Sequence, residues 1–172
     1  MSETADQETI EEFELQPIEV QVLSLERTYF EKVLSVNRLS YEGIPALQEK
    51  IRHFYDIHQL HTETELKGKI LTPEYYQVMS NVRKDDEANR TMNGKWRGQL
   101  ISASPLFTEL DTTWGSLTDA YQNGLADLIW SENRPSSEDI LKVLKEVKGY
   151  VVGFDDKFPP SPIEEEKNED GQ

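Results

Sequence analysis

The chain has 172 residues, of which 36% are hydrophobic and 30% are charged, and its formal net charge is −15. This length supports one domain with its own core, and the acidic balance argues against broad binding to nucleic acid or anionic membranes. Cysteine is absent, which excludes disulfides, thiolate metal sites and cysteine nucleophiles.

The two ends of the chain carry most of the negative charge. Residues 1–14 hold six acids and no base, and residues 155–172 hold seven acids and two bases, which leaves a net charge of −4 on residues 15–154. Acidic segments with few apolar residues do not bury enough surface to fold. We therefore expect disordered ends around a folded domain at 15–154. No signal peptide or membrane-spanning run is visible, which predicts a soluble cytoplasmic protein without membrane contact.

An alternating pattern begins the folded domain. Apolar and polar residues alternate over residues 18–22, which predicts a half-buried strand, with a shorter strand at 13–15 as a possible hairpin partner. Ser24 is a favourable N-cap, and apolar spacing then predicts a helix that ends at Gly43. The expected core face of this helix comprises Tyr29, Phe30, Val33, Leu34 and Tyr41.

Two further helices follow. Pro45 predicts the start of a helix that runs to about Leu60 and is apolar on more than one side. Its main face is expected to hold Leu47, Ile51, Phe54, Tyr55 and His58, with Ala46, Ile57 and Leu60 away from that face. Thr72 as N-cap before a proline predicts a third helix that ends near Asn89.

The last part of the chain predicts two amphipathic helices. Apolar residues recur with helical spacing over residues 112–130, from Trp114 to Leu128. Ser136 and Asp139 have the spacing of a capping box before a stripe formed by Ile140, Leu144, Val147 and Val151. The predicted fold is therefore mainly α, a helical bundle with a short N-terminal β-strand or hairpin.

Arg52, His53 and Asp56 stand out within the second predicted helix, in the segment "KIRHFYDIHQL". Arg52 and Asp56 are about one helical turn apart, and His53 stands beside them. They fit either a surface ion pair, worth about 0.3 to 0.5 kcal/mol, or part of a functional site. Lys32 lies at the edge of the apolar arc of the first helix, where it could bind a phosphate or cover apolar surface.

Two other motifs favour structural interpretations. His58 and His61 have i, i+3 spacing, but no third metal ligand is apparent, so a hydrogen-bonded core histidine is the better interpretation of His58. Trp96 lies in an acid-free run over residues 88–107 beside basic residues, so a nucleobase could stack there. A tryptophan that packs into the core from a solvated loop is the favoured alternative.

The segments "VLSLERTYFEKVLSVNRLSYEG" and "KIRHFYDIHQL" resemble the C-terminal half of the AbiEii family, the nucleotidyltransferase toxins of abortive-infection (type IV) toxin–antitoxin systems. The likeness continues through "FTELDTTWGSLTDAY" and "PSSEDILKVLKEV" and covers residues 15–152. The resemblance implies the C-terminal part of an α+β nucleotidyltransferase that transfers a nucleotide from an NTP to an acceptor, which is tRNA in some relatives. It also implies a role in phage defence and a cognate antitoxin as partner.

The resemblance assigns roles to individual residues. Lys32 matches the lysine thought to grip the triphosphate, and Asp56 matches an acid required for activity, so both are implied as catalytic residues. The resemblance also implies that Lys32 binds the nucleotide together with Arg52, Arg27 and His53. Glu31 is implied as a supporting residue.

One family feature is missing from the sequence. The family's metal site needs a Gly-Ser turn and an Asp-x-Asp pair for two Mg²⁺ ions, and no Asp-x-Asp occurs here. We therefore expect a nucleotide-binding portion that binds no metal, is inactive alone and needs an N-terminal nucleotidyltransferase half or subunit for Mg²⁺-dependent transfer. The alternative is a non-catalytic binding module for an antitoxin or partner subunit.

Overall fold

A computed structural model describes residues 22–89, 91, 94–125 and 134–160. This part of the chain contains no strand and is mainly helical, which confirms the predicted α class. Its α-helices are α1 (Leu25–Ser40), α2 (Ile44–Glu49), α3 (Arg52–Thr62), α4 (Tyr76–Ala88), α5 (Pro105–Thr108), α6 (Leu110–Gly124) and α7 (Ser137–Lys157). The predicted strand at 18–22 lies outside the described residues except for Val22, which is 85% exposed and belongs to no element.

Helix α1 begins as the sequence predicts and ends earlier. The Ser24 hydroxyl accepts a hydrogen bond from the Arg27 backbone N–H at 3.3 Å, which confirms the N-cap. The last helical residue is Ser40, so Tyr41 takes the C-cap position and is only half-buried, against the prediction that it belongs to the core face. Gly43 has a φ of +100°, a conformation that favours glycine, and leads directly into α2.

The second predicted helix is in fact two helices. The chain leaves the helical conformation at Lys50, between α2 and α3, and this break resets the phase of the apolar stripe. As a result Ile57 is buried in the core, whereas Tyr55 and His58, predicted on the main face, are only half-buried. The interruption occurs without a proline or glycine at the break.

Helix α4 also departs from its predicted start. Thr72 makes no side-chain capping hydrogen bond, and the first turn is a short 3₁₀ helix at Pro73–Tyr75. Helix α4 then ends at Ala88, close to the predicted end. Helix α6 confirms the core of the predicted 112–130 helix, but residues 126–130 lie outside the described part of the chain.

Helix α1 lies at the centre of the bundle, and α7 covers one side of it. Helix α1 packs against α2, α3, α4 and α5, while α7 packs against α3, α6 and a 3₁₀ helix at Ile101–Ala103. The capping box of Ser136 and Asp139 is present, and the predicted apolar stripe of α7 is buried. None of the described helices is both long and apolar enough to cross a membrane.

The C-terminal end of α7 extends beyond residue 154, the predicted end of the folded domain. The buried Asp155 carboxylate accepts backbone hydrogen bonds from Ile101 at 3.2 Å and from Ser102 at 2.8 Å. This acid therefore connects the last helix to the 3₁₀ helix at Ile101–Ala103.

Candidate functional site

The contact between α1 and α3 brings Lys32 and Asp56 together. Lys32 Nζ lies 3.3 Å from Asp56 Oδ2, and the two side chains are 28% and 21% exposed. Most of the Lys32 side chain is therefore covered, and its ammonium lies against Asp56 and His53. The structure thus joins the two residues that the resemblance implies as catalytic.

His53 and Arg52 complete this cluster from α3. Lys32 Nζ lies 3.3 Å from His53 Nδ1, and the same ring nitrogen lies 3.9 Å from Asp56 Oδ2. Arg52 Nε lies 3.7 Å from Asp56 Oδ1, and the Arg52 side chain is 62% exposed. Arg52 therefore flanks the cluster from the solvent side, while His53 and Asp56 hold Lys32 from within.

The surroundings of Asp56 favour its ionised form. Burial raises the pKa of the Asp56 carboxyl, but His53, Lys32 and Arg52 together outweigh that effect and hold the pKa below its usual value. The carboxylate is therefore a fixed negative charge at neutral pH. Its position beside Lys32 restricts where the ammonium can point.

An open groove of about 360 Å³ lies beside the cluster, between α1, α3 and α4. Its titratable lining comprises three cations, Arg27, Lys32 and Arg38, three acids, Glu31, Asp85 and Asp86, and His53. Four residues implied by the resemblance, Arg27, Glu31, Lys32 and His53, thus line one groove. Asp56 and Arg52 stand next to it through their contacts with Lys32 and His53.

Sequence reasoning missed the residues that α4 and the end of α1 add to this groove. Asp85 and Asp86 lie three and four residues after the buried Val82, so they lie on the same side of α4. This spacing is the signal that could have placed them near α1. Arg27 Nη2 lies 2.7 Å from Asp85 Oδ2, and Arg38 pairs with Asp86. These contacts join residues far apart in sequence.

The histidines outside the groove have structural contacts. The His61 ring nitrogens lie 3.3 Å from the Tyr29 hydroxyl and 3.0 Å from Glu146 Oε2. His58 is half-buried and contacts Gln59 Oε1 at 3.3 Å. The prediction of a hydrogen-bonded core histidine is therefore wrong for His58, which is only half-buried. His61 has polar partners at both ring nitrogens.

Trp96 is half-buried and in contact with two guanidinium groups. Arg38 and Arg97 lie over its ring, 5.7 and 5.1 Å from the ring centroid. Arg97 also donates to the Asn89 carbonyl at 2.9 Å, which fixes the loop around the indole. Trp96 does not belong to the hydrophobic core, so the prediction that it packs there is wrong; its ring lies against two guanidinium groups instead.

A protein-family model matches residues 3–143 of this chain, and its description reads Nucleotidyl transferase AbiEii toxin, Type IV TA system. The chain belongs to the AbiEii family. The match includes the whole groove and agrees with the resemblance that the sequence motifs indicate. No curated protein and no solved structure matches the chain significantly. Membership in AbiEii implies a nucleotidyltransferase toxin that uses an NTP, usually with Mg²⁺, and that has a cognate antitoxin.

The described residues of this AbiEii chain do not fit a Mg²⁺ site. Within residues 22–89, 91, 94–125 and 134–160, no three His, Asp or Glu side chains lie where they could share a metal ion. The sequence also contains no Asp-x-Asp pair of the kind that would hold two metal ions. The groove instead pairs each acid with a cation.

Proposed function

We propose that this AbiEii chain binds the phosphates of an NTP at Lys32 and forms the nucleotide-binding side of a nucleotidyltransferase. The observation that carries the proposal is the 3.3 Å contact of Lys32 with Asp56 at the edge of an open groove, in a chain of this family. In this proposal the Mg²⁺ ligands belong to an N-terminal half or subunit. The chain is then inactive in the absence of those ligands.

The chemistry of the cluster suits phosphate binding. In nucleotidyl transfer an acceptor oxygen bonds to the α-phosphorus of the NTP and pyrophosphate leaves, so negative charge builds up on the leaving phosphates. A positioned ammonium neutralises that charge and orients the triphosphate. Asp56 and His53 position Lys32, and Arg27 and Arg52 supply further positive charge within or beside the groove.

The acceptor and the biological role also follow from family membership as proposals. We propose tRNA as the acceptor and abortive infection as the setting, with a cognate antitoxin as partner. The groove is open to solvent, so an NTP and an acceptor can approach it. The exposed Arg52 side chain and the Lys32 side chain that lines the groove favour a polyanionic substrate over a neutral one.

Label transfer tests the enzymatic proposal. The purified chain is combined with a complementary Mg²⁺-bearing nucleotidyltransferase half, labelled NTPs and tRNA, and transfer is compared for the native chain, Lys32→Ala and Asp56→Ala. We expect each substitution to lower the transfer rate about 100-fold or more. Lys142→Ala, on an exposed face of α7, is the matched control and leaves transfer unchanged. Transfer that is insensitive to Lys32→Ala and Asp56→Ala would refute the proposed roles.

A second candidate function is a binding module without catalysis. Three apolar residues are exposed where the described chain begins, at Val22, Leu23 and Leu25, and they favour contact with another segment or subunit. In this case the chain captures its antitoxin or partner, and no complementary half restores label transfer. Retained antitoxin binding by Lys32→Ala together with absent transfer for the native chain would favour this candidate.

A further inference from the structure

Arg27 reaches across the groove and is shared between two acids. Its Nε lies 2.9 Å from Glu31 Oε1 on its own helix, and its Nη2 lies 2.7 Å from Asp85 Oδ2 on α4. The Arg27 side chain is 34% exposed and that of Asp85 is 59% exposed, so ions in solution reach both partners. Ion pairs this exposed contribute little to stability, which leaves the fold without a strong need for the contact.

Arg38 makes the corresponding contact at the other end of the groove. It lies three helical turns after Arg27 on α1, and its guanidinium pairs with Asp86. Because Asp85 and Asp86 are adjacent residues, the two guanidinium groups converge on one short stretch of α4. Lys32 lies between them in sequence and lines the same groove.

A carboxylate and a phosphate are competing ligands for a guanidinium group. Both present oxygen atoms in the geometry that the planar donor fork recognises, and a polyphosphate carries more charge. The site also disfavours the Asp86 carboxylate: burial raises its pKa, Arg38 opposes that effect, and the neighbouring Glu31 and Asp85 add to it. An anion from solution therefore competes at Arg38 with a carboxylate that its surroundings disfavour, and at Arg27 with a contact that is exposed to solvent.

We propose that Arg27 and Arg38 bind the phosphates of the substrate, and that Asp85 and Asp86 occupy these two cations until a polyphosphate displaces them. This inference rests on the proposed function. It adds Arg38 to the phosphate-binding residues and makes the two acids of α4 the groups that limit affinity. The groove then favours ligands with several phosphates, because only these reach both guanidinium groups and Lys32.

Binding of inorganic tripolyphosphate to the full chain, measured by isothermal titration calorimetry at low salt, tests the inference. Asp85→Asn removes one of the two carboxylates that Arg27 contacts, and Asp86→Asn removes the carboxylate that pairs with Arg38. We expect each substitution to lower the dissociation constant for tripolyphosphate about threefold to tenfold. Asp111→Asn is the matched control. It removes the same charge and frees Lys145, which lies 2.7 Å from Asp111 between α6 and α7, away from the groove.

The outcomes separate the inference from the proposed function. Unchanged affinity in both acid variants, or an equal gain in Asp111→Asn, overturns the inference, as does undetectable binding by every variant. Arg38→Met should weaken tripolyphosphate binding. Because Arg38 also contacts Trp96, the thermal melt of the Arg38→Met variant is recorded. If that variant is unfolded, the two acid variants decide the result. If Lys32→Ala abolishes binding while the acid variants match the native chain, the proposed function stands and the inference fails. If the acid variants bind more tightly and Lys32→Ala has no effect, the inference stands and the role of Lys32 fails.

Discussion

The pair of Lys32 and Asp56 should contribute measurable coupling to stability. At 3.3 Å and an effective dielectric constant of about 20, the attraction between two unit charges is about 5 kcal/mol. Both side chains are largely covered, so the lost hydration of the two charges offsets most of this attraction. Exposed ion pairs contribute about 0.2 to 1 kcal/mol, and breaking a buried pair costs about 3 to 5 kcal/mol. The Lys32–Asp56 pair is only partly exposed, so we expect a coupling energy between these limits, about 1 to 2 kcal/mol.

A double-mutant cycle measures this coupling. Asp56→Asn, Lys32→Met and the double variant are unfolded with urea at pH 7, and the coupling energy is obtained from the four free energies of unfolding. The matched cycle of Arg52→Met with Asp56→Asn should give a coupling below about 0.5 kcal/mol, because that contact is longer and mostly exposed. Equal coupling in the two cycles, or none for Lys32, would refute the account of the cluster.

The same variants carry a pH prediction. The pKa of Asp56 is lowered in the folded protein, so its ionised form contributes stability above the unfolded value of 3.8, and this contribution is lost as pH falls through the lower folded pKa. The difference in unfolding free energy between the native chain and Asp56→Asn should therefore shrink between pH 5 and the acid limit of folding. A difference that grows on acidification would mean that the sign of the shift is wrong.

Two more predictions concern the packing of α7, and both are measured by thermal or urea unfolding. Gly149→Ala should stabilise the helix by about 0.5 to 1 kcal/mol, since the added Cβ meets nothing within 4 Å beyond its chain neighbours and the backbone of its own helix. Gly153→Ala should destabilise the protein, because its Cβ would lie 2.5 Å from the Tyr76 hydroxyl. Asp155→Asn replaces one carboxylate oxygen with an amide NH₂ group, so the backbone N–H of either Ile101 or Ser102 loses its acceptor, and this should cost about 1 to 3 kcal/mol.

Local signals predicted the helices that depend on local interactions. The Ser24 N-cap and the capping box of Ser136 and Asp139 are hydrogen bonds within one turn, so the sequence contains all that they need. The break at Lys50 was not predicted because no proline or glycine marks it; it accompanies the packing of α2 against α6 and of α3 against α1, which periodicity does not encode.

The candidate site shows the same division. Periodicity placed Lys32 at the edge of one helix and Asp56 on another, but left both open to structural interpretations, and the family motifs linked them before the structure brought them together. Asp85 and Asp86 escaped prediction because their partners, Arg27 and Arg38, are 58 and 48 residues away. The folded segment at 15–154 and the disordered ends stay predictions, as do the roles of the site residues.

Nuclear magnetic resonance of lysine side chains tests most directly whether Lys32 binds nucleotide phosphate. The chain is labelled by reductive ¹³C-methylation of its lysines, and the Lys32 signal is assigned by its absence in Lys32→Arg. We predict that this signal shifts and saturates as an NTP with Mg²⁺ is added, while the signal of Lys142 on α7 stays in place. The account is contradicted if the Lys32 signal stays in place at nucleotide concentrations that saturate binding elsewhere on the chain. It is also contradicted if no nucleotide binding is detected at all.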